Sequence, residues 1–164
     1  MHSASLKRAF LILVGSLAWS TTLLAEQDVK FSTDVNFTVR PSASGIVSKS
    51  ADALSLFLYD VTLVTDDPSR ATPRSFRVGI AFEDPAIGRW NVSNWSPHVD
   101  IKSAFDATGM LEVKRIDLSI PSGNASLKGR WLVIEIRYVS HSFNGAIATS
   151  YAHSSRAIFD GQGY

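Results

Sequence analysis

Residues 28–40 read Asp-Val-Lys-Phe-Ser-Thr-Asp-Val-Asn-Phe-Thr-Val-Arg, with Val29, Phe31, Thr33, Val35, Phe37 and Val39 on one parity and polar or charged side chains on the other. An alternation this long collects its apolar side chains on one face only if the chain is extended; wound as a helix, the same residues would scatter around the cylinder. The pattern returns at Phe76, Val78, Ile80 and Phe82, and again at Leu132, Ile134, Ile136 and Tyr138, with Glu135 and Arg137 on the opposite face. No segment keeps helical spacing beyond about two turns, residues 103–106 being the sole candidate. An all-β chain is expected.

The punctuation of the sequence sets provisional boundaries. Pro41 is expected to end the first strand and the Ser-rich residues 41–50 to form a loop. Residues 54–65 are apolar on both parities, as in a central strand buried on both faces. Turn clusters are expected at residues 66–73 and at Glu83-Asp84-Pro85, with a strand over residues 89–95 and a short one at residues 99–101. Leu111 and Val113 share one parity while Ile116, Leu118 and Ile120 share the other, so a β-bulge is expected near Lys114 and Arg115. Ser122-Gly123-Asn124 and Asn144-Gly145 read as turns, the second followed by one or two last strands over residues 147–159. About seven to nine strands at this spacing predict a two-sheet antiparallel β-sandwich of Greek-key or jelly-roll type.

The first 25 residues follow a different logic. Lys7 and Arg8 precede an uncharged apolar run over residues 9–19, and Ser20-Thr21-Thr22-Leu23-Leu24 leads to the small residue Ala25 before Glu26. This is the pattern of a secretory signal, and the run is shorter than the roughly 20 residues that cross a bilayer. The expectation is an exported protein (periplasmic, surface or extracellular) without a transmembrane anchor, whose residues 26–164 form one domain. Loss of Lys7 and Arg8 changes the formal net charge from +1 to −1. The remaining cations are scattered, which argues against nucleic acid as a partner. The chain contains no cysteine, so thiol catalysis, thiolate metal sites and disulfides are excluded; at 164 residues it is long enough to bury a core without them.

Three functional readings arise from the residues. In the leading one, a non-catalytic exported β domain acts by surface contact as an adhesive, assembly or fibre-forming subunit. The extended segment would pair with a neighbour's sheet edge, with Val29, Phe31, Val35, Phe37 and Val39 filling pockets. The second is a lectin-like carbohydrate-binding module built on Trp90 and Trp95, with Asn94 and His98 supplying hydrogen bonds. The two indoles are an odd number of residues apart, so an unbroken strand would turn them to opposite sides. A secreted hydrolase is the third, with no catalytic residue identifiable: Ser154 adjoins His153 but lies in no nucleophile elbow, and no spacing relates Asp84, Asp100, Asp106 and Asp117 as a carboxylate pair. His98, His141 and His153 lack metal-ligand spacing, so no metal or other cofactor is expected. Four asparagines, Asn36, Asn91, Asn94 and Asn124, stand in Asn-x-Ser/Thr triplets, which would accept glycans only on a eukaryotic secretory route.

Overall fold

The computed structural model describes residues 26–33, 37–50, 53–84, 91–121 and 127–159. The basic-apolar leader, Val35, Asn36, Trp90 and Asn124 lie outside the described residues. Among the described residues ten strands form one antiparallel sheet: β1 Glu26–Ser32, β2 Val39–Lys49, β3 Ala53–Thr65, β4 Ala71–Ala81, β5 Val92–Ser93, β6 Val99–Asp100, β7 Met110–Val113, β8 Ile116–Pro121, β9 Trp131–Ser140 and β10 Ala146–Ser154. The long strands run in the order β4-β9-β10-β1-β2-β3; β5 and β6 line the far edge of β4, and β7 and β8 that of β3. The all-β expectation holds, but the two stacked sheets are instead a single sheet curled into a half-barrel.

Chain reach explains the curl. Thr65 ends β3 and Ala71 begins β4, a link that spans at most about 22 Å fully extended. Laid flat at about 4.8 Å per interval, the sheet would hold these two strands about 24 Å apart. The link is shorter still, because Arg70 N–H donates to the Asp67 carbonyl at 3.1 Å. The sheet therefore bends until its two ends face each other. Its concave side holds one apolar cluster drawn from both halves, with Phe76, Val78, Ile80, Ile134 and Ile136 opposite Val47, Leu56, Leu58 and Ile120. The segment between β6 and β7 crosses the opening and packs Ile101 and Phe105 against this core.

Several boundaries differ from those the sequence suggests. The alternating segment is two strands, because β1 stops at Ser32 and the chain folds back so that Phe31 pairs with Ala43. The expected loop at residues 41–50 is thus most of β2. Pro41 is accommodated because β1 pairs no further than Ala43, leaving β3 as the partner of β2 at that point. β3 is not buried on both faces. Leu54, Leu56 and Leu58 point inward, then Asp60 adopts φ 51°, one extra residue enters the strand opposite Ala43, and Val61 and Leu63 take over the inner face. The expected irregularity at Lys114 and Arg115 is present as the break between β7 and β8, and it lies against Asp60. Two neighbouring strands change phase at one level, so both keep their apolar residues inside. β4 begins at Ala71 and contains Pro73, the strand expected over residues 89–95 is described only at Val92–Ser93, and residues 103–106 are not helical. Among the described residues no helix is long and apolar enough to cross a membrane.

The turn at residues 106–109 shows how closely the opening is fixed. Asp106 Oδ1 accepts from the Thr108 and Met110 backbone N–H groups at 2.8 and 2.9 Å and from the Thr108 hydroxyl at 2.7 Å. The Met110 N–H, then the Thr108 hydroxyl, hold this exposed carboxyl below its ordinary pKa. A lowered pKa means the contribution is complete above the unfolded value of about 3.9 and vanishes as pH falls through the folded one. Asp106→Ala is expected to be less stable than the native chain in urea at neutral pH, with the difference closing below about pH 3.9. A deficit that does not change with pH would show that the ionised carboxylate is not what organises the turn.

Candidate functional site

The outer face of β4, β9 and β10 carries the densest chemistry. Pairing sets Arg77 of β4 opposite Glu135 of β9, and Glu135 opposite Tyr151 of β10. Odd-numbered residues of β9 point outward because Leu132, Ile134, Ile136 and Tyr138 fill the core. Arg77 Nε donates to Glu135 Oε1 at 2.9 Å and Nη2 to Oε2 at 3.3 Å, a two-pronged ion pair. It is unusually well covered for an outward-facing pair, with side-chain exposures of 28% for Arg77 and 8% for Glu135.

Trp95 supplies part of the cover. The chain after β5 runs along the free edge of β4, where Ser96 N–H donates to the Val78 carbonyl at 2.7 Å and Ser96 Oγ accepts from Val78 N–H at 3.0 Å. Just before this clamp, Asn94 at φ 49° turns the backbone, and the Trp95 indole folds over the sheet with the Arg77 guanidinium 4.2 Å from its ring. Gly79 makes room for it: a Cβ there would lie 2.6 Å from the indole and 2.5 Å from Val92. On the other flank Phe37 meets Tyr151 edge-on, with ring centroids 6.2 Å apart. The face thus presents a row of Trp95, Arg77, Glu135, Tyr151 and Phe37. Trp95 and Tyr151, both partly exposed, are anchored across the width of β4, β9 and β10, or about 10 Å between the outer two strands.

The neighbouring row along the strands is more polar. Ser75 faces Arg137 across β9, and Arg137 faces Thr149. Ser75 Oγ lies 3.2 Å from His98 Nδ1, and Thr149 Oγ1 donates to the Tyr151 hydroxyl at 3.4 Å. His141 Nε2 meets the Thr72 hydroxyl at 2.8 Å, while His153 Nδ1 lies 3.0 Å from the Ser154 carbonyl. Ser154 Oγ is occupied as an acceptor for Leu132 N–H at 3.1 Å. Among the described residues no three His, Asp or Glu side chains converge as metal ligands.

The residues singled out from sequence therefore separate. Phe37, Asn94, Trp95 and His98 belong to this face or its rim. Val29, Phe31 and Val39 are 2%, 3% and 0% exposed in this chain's own core. Val35 and Trp90 fall outside the described residues. Sequence reading missed Arg77, Tyr151 and the pairing of Arg77 with Glu135. Parity alone would have turned Arg77 and Glu135 outward, but β4 and β9 are far apart in the chain and no local signal pairs them.

Compared with protein-family models, curated proteins and solved structures, the chain matches none.

Proposed function

We propose that the protein is an exported, non-catalytic β domain that works by surface contact, and that its contact surface is the outer face of β4, β9 and β10, binding a saccharide. The observation that carries this reading is the row in which a largely covered ion pair packs its guanidinium against the Trp95 ring while Tyr151 stands across from it. Fixed aromatic rings lose little entropy when the apolar C–H face of a sugar stacks on them, and the surrounding hydroxyl, imidazole and guanidinium groups match sugar hydroxyls. Export rests on the Lys7-Arg8 and apolar leader pattern. The N-terminal strand is a less suitable contact element than this face, since Val29, Phe31 and Val39 are already spent on the domain's own interior.

At the Ser75–His98 pair the hydroxyl belongs to a buried residue, and the carboxylate of Asp100, its neighbour on β6, makes no hydrogen bond to His98, so this pair lacks the orienting acid of a nucleophilic triad.

Screening residues 26–164 on an array of neutral and acidic glycans is expected to return a defined set of binders. Trp95→Ala is expected to lose that binding while keeping a β-type circular dichroism spectrum. No bound glycan for the native domain, or undiminished binding by the variant, would overturn the reading.

A further inference from the structure

We infer that the saccharide taken by this face bears an acidic group, and that Arg137 is the residue that holds it. Arg137 sits two positions from Glu135 on the same outward parity, about 7 Å along β9, within reach of an acidic substituent on a sugar stacked over Tyr151. Its directly opposed neighbours are Ser75 and Thr149, both hydroxyls and neither an anion.

What sets Arg137 apart is how most of the other described arginines are engaged. Arg40 pairs with Asp66, Arg70 with Asp67, Arg77 with Glu135 and Arg115 with Asp117. Arg130 stacks on Phe82 with its buried Nε left unpaired, and Arg156 donates to the Asp28 carbonyl. Only Arg137 and the exposed Arg74 are left without such a partner among the described residues, and Arg137 is partly buried. A partly exposed guanidinium without a counter-charge is open to an incoming oxyanion, which gains charge-assisted hydrogen bonds there without breaking an existing pair. Its planar fork accepts a carboxylate or a sulfate ester in a two-pronged geometry.

The local charge balance favours the same occupant. Arg77 and Glu135 cancel. Arg74 adjoins Ser75, and Lys102 and Arg74 line a groove of about 580 Å³ beside it. Among the described residues Asp100, which lines the same groove, is the one carboxylate in the Arg137 row, and it stands two strands away across β4. The row therefore presents positive charge beside aromatic rings, which suits an acidic sugar better than a neutral one.

The inference rests on the saccharide reading, and the test separates the two. Residues 26–164 are screened against uronate oligosaccharides, the same oligosaccharides as methyl esters, sialylated glycans, sulfated glycans and neutral glycans, with native chain, Arg137→Gln and Arg137→Lys. Acidic glycans are expected to bind, methyl esterification to weaken uronate binding, and Arg137→Gln to weaken acidic binding by about tenfold or more with partial recovery in Arg137→Lys. Because Arg137→Gln breaks no existing pair, its unfolding midpoint is expected to stay that of the native domain. Whether carboxylated or sulfated members dominate identifies the acid. Binding confined to neutral glycans, or acidic binding unchanged in Arg137→Gln, overturns the acidic assignment and leaves the saccharide reading standing. Absence of any glycan binding overturns both.

Discussion

Gly109→Ala is expected to lower the stability of the domain by about 3–4 kcal/mol, seen as a shifted urea midpoint at unchanged slope. Gly109 sits at φ +78°, a region costly for any residue with a Cβ, and a Cβ placed there would lie 2.1 Å from the Thr65 carbonyl oxygen. That oxygen belongs to backbone at the end of β3 and cannot swing aside as a side chain could. The Gly109 carbonyl also accepts Thr65 N–H at 2.8 Å, so relief of the clash would break a bond joining the turn to the strand. Gly129 is the control. Its φ is +73° and nothing lies within 4 Å of where its Cβ would sit, so Gly129→Ala should carry the backbone penalty alone, about 1 kcal/mol. Equal losses in the two variants would show that the approach to Thr65 is not what makes glycine necessary. The same comparison asks whether the crossing segment between β6 and β7 is integral to the fold or merely laid over it.

The part of the fold that could be read from the chain is the part governed by local periodicity. Alternation at Phe76, Val78 and Ile80, and at Leu132, Ile134 and Ile136, identifies strands and their buried faces without any knowledge of partners. The break at Lys114 and Arg115 was legible for the same reason, since one residue out of step exchanges the faces. What was not legible depends on pairing. The phase change at Asp60 made β3 look apolar on both faces, because the eye averages Leu54, Leu56 and Leu58 with Val61 and Leu63 when no kink is marked. Residues 28–40 kept one parity through a reversal of direction, so Val29 and Val39 reach the same core from two different strands. The curl was in principle deducible from the short link between β3 and β4, but only once those strands were known to lie at opposite ends of the sheet. At the site, Trp95 and His98 were visible as side chains with chemistry, whereas Arg77 looked like an ordinary solvated charge until the register set Glu135 beside it.

That pair carries the second large effect. Glu135→Ala is expected to cost about 3–5 kcal/mol, because it leaves the Arg77 guanidinium under the Trp95 ring without its counter-charge. Arg77→Ala should cost at least as much: it strands a carboxylate that is 8% exposed and removes the cation against which Trp95 rests. The double replacement Arg77→Met with Glu135→Leu should behave differently. Apolar side chains of similar volume need no desolvated charges to be matched, so the double variant is expected within about 1 kcal/mol of the native domain, giving a coupling of several kcal/mol in the cycle. Such a result would mean that the fold can dispense with the pair. Saccharide binding then decides what the pair is for. Methionine and leucine offer neither the planar cation that packs against the indole nor the carboxylate that fixes the cation, so the stable double variant is expected to lose binding along with the Trp95 placement. A double variant that is as stable as the native domain and binds as well would remove the pair from the contact surface and return it to the ordinary packing of a sheet face.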